Sequence, residues 1–236
     1  MDPRPPHRNR VTPSGEIVSI ELRGAWMGNR GILHRGAGDD ARIVRQHAGI
    51  AWLTCVLEFR GRRVPQWSPG HYTPLFFHDE AVAFAAGHRP CAECRRPAFR
   101  AFLDALAVAG PDGGERPPAP ARAPDLDRLL DRQRRLPRSS RRLLHDRPWR
   151  ELPDGTFVLL GDGPAVVIGD AVIGWTPDGY GPAQVRPTRG PARLLTPPAT
   201  VGAFAAGYPV QIDVRARSSA HQARSSTDGS SSATDG

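Results

Sequence analysis

The tightest constraint on this chain is a two-residue spacing, Cys91-Ala92-Glu93-Cys94. Two thiols so spaced reach one metal ion, or each other, from a single turn, and either use fixes the surrounding backbone. One further cysteine occurs, Cys55, so the count of three is odd and argues against a disulfide framework. Zinc takes four tetrahedral ligands from Cys and His, which makes Cys91 and Cys94 half of a site. Thioredoxin-like redox enzymes share the spacing, but they place it after a central strand of an α/β unit. Here it follows an expected helix and its glycine stop. On an apolar strand, Cys55 is equally readable as an inert buried thiol.

The pattern around these cysteines is strand first and helix later. Residues 15–22 alternate apolar Ile17, Val18, Ile20 and Leu22 with polar neighbours and predict a strand. Residues 24–31 read as turn, 31–34 as a second strand, 35–49 as an inserted loop or hairpin, and 50–59 as a third strand. Asp79 is placed to cap a helix over residues 80–86, with Gly87 as its left-handed stop. Pro97 opens another, whose Phe99, Phe102, Leu103 and Leu106 fall at helical spacing. Five prolines in residues 110–124 (Pro111, Pro117, Pro118, Pro120 and Pro124) mark a linker. Residues 125–136 predict an amphipathic helix running into an arginine-dense stretch up to Arg142. Short strands at 157–160, 165–168 and 171–175, divided by Gly-Asp turns, predict an antiparallel meander, and 194–207 a proline-capped helix.

The expected fold class is therefore α+β: a small zinc-stabilised β-hairpin and helix module at 15–109, the linker at 110–124, then a basic helix and a small β-rich unit at 125–214. Residues 1–14 and the Ser-, Thr-, Asp- and Gly-rich stretch 215–236 are expected to be disordered. No apolar run reaches the roughly 18 residues of a membrane span, and the first residues lack the apolar core of a secretory signal, so a cytoplasmic location is expected.

The segment Asp79-Glu80-Ala81-Val82-Ala83-Phe84-Ala85-Ala86-Gly87-His88-Arg89-Pro90-Cys91-Ala92-Glu93-Cys94-Arg95 resembles the second half of the Ada-type metal-binding domain. That family has a short helix, then Ala-Gly-aromatic-Arg-Pro-Cys-x-x-Cys, with the last two cysteines on zinc. The resemblance covers about residues 30 to 96. It implies two further ligands from an upstream hairpin, and Gly31-Ile32-Leu33-His34 with Trp52-Leu53-Thr54-Cys55 fits a His-then-Cys form. The implied ligand set is His34, Cys55, Cys91 and Cys94 around Zn2+. Twenty residues separate His34 from Cys55, more than in the family, and an insertion at the hairpin tip accommodates them at a cost that grows only logarithmically with length. His47, His78 and His88 are the competing histidines, with His88 at the family's aromatic position and expected to pack.

Function at this stage rests on the site and on charge. The formal charge is +8, every basic residue is arginine, and Arg60, Arg62, Arg63, Arg89, Arg95 and Arg96 cluster in sequence around the cysteines. A structural zinc that displays these arginines to a DNA or RNA backbone is the favoured expectation, with salt-sensitive and sequence-tolerant binding. The Arg132 to Arg142 run is either a second phosphate stripe or a solvated face. A protein partner engaged through Trp26, Trp52, Trp67, Trp149 and Trp175 is the rival from another class, although core packing explains most tryptophans. The Ada-type resemblance also implies a third reading, a zinc-bound thiolate accepting a methyl group from a phosphotriester, but the family's acceptor position corresponds most closely to His34, leaving Cys55 as the alternative nucleophile. No GxSxG elbow, P-loop, HExxH or dinucleotide turn occurs, and Asp79-Glu80 is read as a helix start rather than a nuclease-like cluster with His78.

Overall fold

The computed structural model describes residues 6–61, 65–109, 121–137, 139 and 141–228. In chain order the elements are β1 (Arg10–Val11), β2 (Ile17–Val18), β3 (Trp26–Asn29), β4 (His34–Arg35), β5 (Arg42–Ile43), β6 (Leu53–Cys55), β7 (Leu75–Phe77), α1 (Glu80–Ala85), β8 (Arg89–Pro90) and α2 (Arg96–Val108). They continue with α3 (Ala123–Arg134), β9 (His145–Pro148), β10 (Phe157–Leu160), β11 (Gly163–Ile168), β12 (Ala171–Thr176), β13 (Gly179–Val185), β14 (Pro191–Leu194), α4 (Pro198–Ala205) and α5 (Val214–Asp228). The class is α+β. No helix among the described residues is long and apolar enough to cross a membrane.

Two six-stranded sheets carry the structure, in the orders β2-β1-β7-β3-β6-β8 and β13-β12-β11-β10-β14-β9, with β4 and β5 forming a separate ribbon. The second sheet contains the expected meander, because β10 to β13 pair antiparallel in sequence order. In the first sheet β3 sits between β6 and β7, with Met27 opposite Cys55 on one side and Phe76 on the other. This differs from the expected pairing of residues 31–34 with 50–59. Glycine pattern misled there: Gly28 lies inside β3 because a Cβ would fall 2.4 Å from Phe77 Cε2, so the turn-like residue answers to a packed ring. Residues 30–52, including the β4–β5 ribbon, form an excursion between the paired strands β3 and β6.

The helices around the knuckle form for the expected local reasons. Asp79 Oδ1 accepts the Val82 amide at 2.8 Å and caps α1, and Gly87 takes φ +88° to stop it. In α2, Phe99, Phe102 and Leu106 are buried at helical spacing after Pro97. α3 starts two residues before the expected boundary, buries Leu126, Leu129 and Leu130, and lies against the end of α1, where Arg134 Nη1 donates to Gly87 O at 3.1 Å.

One apolar core joins elements from both sheets. Phe84 of α1 has the rings of Phe102, Phe204 and Tyr208 each 5.3 Å away. The acidic pair at the start of α1 extends this join. Asp79 Oδ2 accepts from Tyr180 Oη at 2.7 Å and the Asp213 amide at 2.9 Å, while Glu80 accepts from Tyr208 Oη and the Gln211 amide, both at 2.9 Å, and pairs with Arg95. Asp79-Glu80 is thus a helix start, as expected, and also the polar tie to the C-terminal sheet.

Both ends depart from expectation. In the N-terminal stretch expected to be disordered, Val11 is buried and Arg10 pairs with Phe76 of β7. Likewise, residues 214–228 form α5, in which Ala216 and Ala220 are buried against the meander. Two small side chains at i and i+4 sufficed to seat a helix whose composition is otherwise polar. Most of the proline-rich linker, residues 110–120, lies outside the described residues.

Candidate metal centre

Cys55 ends β6, and β8 runs parallel beside it with Thr54 opposite Pro90. Cys91, the next residue, donates its amide to Thr54 O at 3.0 Å, which brings the knuckle against Cys55. The three sulfurs lie within 4.8 Å of one another, and Cys55 and Cys91 are buried while Cys94 is half-buried. A tetrahedral ion with Zn–S bonds of about 2.3 Å places sulfurs roughly 3.8 Å apart, a spacing that lies within the 4.8 Å bound of this cluster.

Without an ion, the environment favours the thiolate at Cys91 and disfavours it at Cys55 and Cys94. Hydrogen bonds from Cys55 and Cys94, then the backbone amides of Cys94 and Glu93, favour the Cys91 thiolate and lower its pKa, while the same sulfur contacts push the Cys55 thiol up. Burial and the neighbouring sulfurs push Tyr72 up to about 12. A cavity of about 460 Å³ opens onto the sulfurs; its described lining includes Met27, Leu53, Tyr72, His71 and Glu93, and no arginine. Three sulfurs facing one another at the edge of this cavity form a soft donor set, so these three residues can hold a metal ion.

No known protein family, curated protein or solved structure matches the chain.

The structure brings together three of the four expected ligands and leaves out His34, which is not in the cluster. Its Nδ1 lies 2.6 Å from Thr73 Oγ1, and its ring meets Trp67 edge-on at 5.4 Å. The cause is strand register. Met27, seven residues upstream, occupies the cross-strand place opposite Cys55, while His34 sits in the ribbon opposite Ile43. The competing histidines are also elsewhere. His88 is fully buried, packs on Phe77 at 4.6 Å and accepts from Arg30 Nε at 3.1 Å, as its expected packing role requires. His78 accepts from Trp175 Nε1 at 3.3 Å, and His47 packs on Trp52 at 5.6 Å. Sequence reading overlooked His71. Its Nδ1 lies 3.1 Å from Pro69 O, an arrangement in which Nδ1–H donates and Nε2 keeps its lone pair for a metal. The Pro69-Gly70 turn that precedes it was the available signal.

The expected phosphate-contacting arginines divide. Arg60 and Arg96 are exposed, and Arg62 and Arg63 lie outside the described residues. Arg89 and Arg95 must be withdrawn from that set as they are buried. Arg89 makes a bidentate pair with Asp127, both bonds at 2.8 Å, and Arg95 pairs with Glu80 while stacking 3.9 Å from the Trp26 ring. Four of the five tryptophans are buried, and Trp26 is half-buried beneath Arg95, so they present no exposed aromatic face. The arginines that do gather in space, Arg30, Arg134, Arg135 and Arg142 among them, line a second cavity that sequence order does not reveal.

Proposed function

We propose that this chain is a zinc-binding protein in which Cys55, Cys91 and Cys94 supply three thiolates to a structural site. The convergence of the three sulfurs carries the reading, and the resemblance of residues 79–95 to the Ada-type domain supports it. Zinc is the ion of choice for an all-thiolate set on a knuckle, and its binding free energy becomes folding free energy for the β6–β8 edge. The fourth ligand is water, or His71 or Glu93, which line the cavity but stand outside the cysteine cluster and would have to swing toward it; His34 does not line the cavity. Around this site, exposed Arg60 and Arg96 contact nucleic-acid phosphate, which predicts binding that weakens steeply with salt and depends little on sequence.

Half-exposure of Cys94 toward the cavity favours one second reading, the methyl acceptor. There, a zinc-bound thiolate Sγ attacks the methyl carbon of a phosphotriester; a thioether forms, and the C–O electron pair leaves with the phosphodiester. Metal content of the wild type and of Cys55→Ala, Cys91→Ala and Cys94→Ala decides the first reading: about one zinc per chain, lost in each variant, is expected. Wild type purified without chelator and free of zinc refutes it. Intact-mass measurement after incubation with methyl-phosphotriester DNA decides the second, which requires one added methyl group on a cysteine.

A further inference from the structure

Opposite in character to the sulfur cavity is a cleft of about 570 Å³ whose walls include Arg8, Arg30, Arg134, Arg135, Arg141 and Arg142, against one carboxylate among the described lining residues, Glu16. These residues come from the N-terminal segments, the end of α3 and the chain that follows it.

Ion pairing accounts for only part of this charge. Asp131 takes Arg134 at 2.9 Å and Arg135 at 2.6 Å. Arg30 is 1% exposed, and its partners are neutral: His88 Nε2 at 3.1 Å, Gly15 O at 2.9 Å and Gln46 O at 3.5 Å. Arg142 donates to the carbonyls of Ser14, Ala85 and Leu195. Three nitrogens sealed behind the cleft wall, Arg30 Nη2, Arg134 Nε and Arg142 Nε, have no hydrogen-bond partner among the described residues. Arg30 and Arg134 both lie 3.9 Å from the Trp52 ring, which offsets part of their charge through the ring quadrupole but supplies no acceptor.

Arg30 and Arg142 converge on the turn at Gly15. A Cβ there would stand 3.3 Å from Arg142 Nη1 and 3.8 Å from Arg30 Nη2, and the residue holds φ +88°. Burial and repulsion from Arg134 and Arg142 lower the Arg30 pKa well below its ordinary value. Several guanidiniums gathered along one cleft with few carboxylates to pair them make a site for an oxyanion that accepts several hydrogen bonds at once. We propose that this cleft binds a phosphate monoester, seated between Arg30, Arg142 and Arg141, with Trp52 forming part of the wall. The cleft has room for a mononucleotide-sized ligand, since small-molecule sites span roughly 300–1,000 Å³. Its source is either a free phosphorylated small molecule or the terminal phosphate of a nucleic-acid strand. The inference does not rest on the zinc reading, because none of the three cysteines lines this cleft.

Isothermal titration of the full chain tests it, with inorganic phosphate, adenosine 5′-monophosphate, and a single-stranded oligonucleotide bearing either a 5′-phosphate or a 5′-hydroxyl, all at ionic strength fixed with NaCl. Saturable binding of inorganic phosphate is expected. It should weaken about three- to tenfold in Arg141→Gln, an exposed residue whose loss leaves the fold intact, and more in Arg142→Gln. Tighter binding of the 5′-phosphorylated strand than of the 5′-hydroxyl strand assigns the strand end as the source; tighter binding of the mononucleotide alone assigns the free molecule. No saturable heat beyond the NaCl blank overturns the proposal, as does unchanged affinity in folded Arg141→Gln. Equal binding of both strands that inorganic phosphate does not displace overturns it too, by placing the contact on the diester backbone elsewhere.

Discussion

Removing Asp127 should destabilise the protein far more than removing an exposed charge. Its carboxylate holds both Nε and Nη2 of Arg89 at 2.8 Å, with the two side chains 8% and 5% exposed. Arg89 keeps one other hydrogen bond, Nη1 to Pro90 O at 3.0 Å, and lies over the Phe99 ring at 5.1 Å. In Asp127→Ala the guanidinium stays buried with its charge uncompensated, at a cost of about 3–5 kcal/mol. For a chain of this size each kcal/mol moves Tm by roughly 2–4 °C, so the fall is about 6–20 °C. Urea unfolding followed by tryptophan fluorescence, with zinc saturating in both proteins, measures the difference. The double variant Arg89→Met with Asp127→Leu removes both charges and should recover more than half of the loss. It should also leave the proposed nucleic-acid binding unchanged, since Arg89 faces Asp127 rather than solvent. A loss below about 1 kcal/mol in Asp127→Ala, or no recovery in the double variant, would refute the structural role given to Arg89.

His34→Ala should retain full zinc while losing about 1 kcal/mol of stability through its Thr73 contact, checked by metal content and urea unfolding together; loss of zinc would restore His34 as a ligand. Gly28→Ala should cost about 1–3 kcal/mol, because its Cβ has to displace the Phe77 ring, and denaturant midpoints measure it. His88 is held neutral, its pKa lowered well below 6.5 first by burial and then by Arg30. The unfolded chain therefore binds a proton below about pH 6.5 that the folded chain does not, and stability falls with pH by up to about 1.4 kcal/mol per unit. Between pH 7 and 5.5, His88→Gln should show a shallower decline than wild type; parallel curves would contradict this.

How much of this was legible in the sequence depended on whether the information was local. Caps, stops and helical spacing are local, so α1, α2 and the meander follow from Asp79, Gly87, Pro97 and the alternating Val-Ile runs. Cys91 and Cys94 share a turn, and their meeting Cys55 followed from the resemblance and was brought about by the pairing of β6 with β8. Register is not local. Which residue faces Cys55 was decided by Phe77 closing over Gly28, a contact across about fifty residues, and so His34 was misplaced. The arginines failed for the same reason: a cluster in sequence, Arg89 and Arg95, dissolved into ion pairs with Asp127 and Glu80, while a cluster in space assembled from positions 8, 30, 134 and 142. Composition misled at both ends, because Val11, Ala216 and Ala220 are few but sit where the sheets need covering.

The polar tie at the head of α1 has a consequence for biosynthesis. Glu80 and Arg95 are translated close together, yet Tyr208 and Gln211, which complete the Glu80 shell, follow Glu80 by 128 and 131 residues. At about 5–20 residues per second, that interval is roughly 6–26 s on the ribosome. Throughout it the nascent helix carries a carboxylate whose final hydrogen-bond donors do not yet exist. The knuckle cysteines are synthesised early in the same interval, so the proposed metal site can be filled before the helix beside it is sealed.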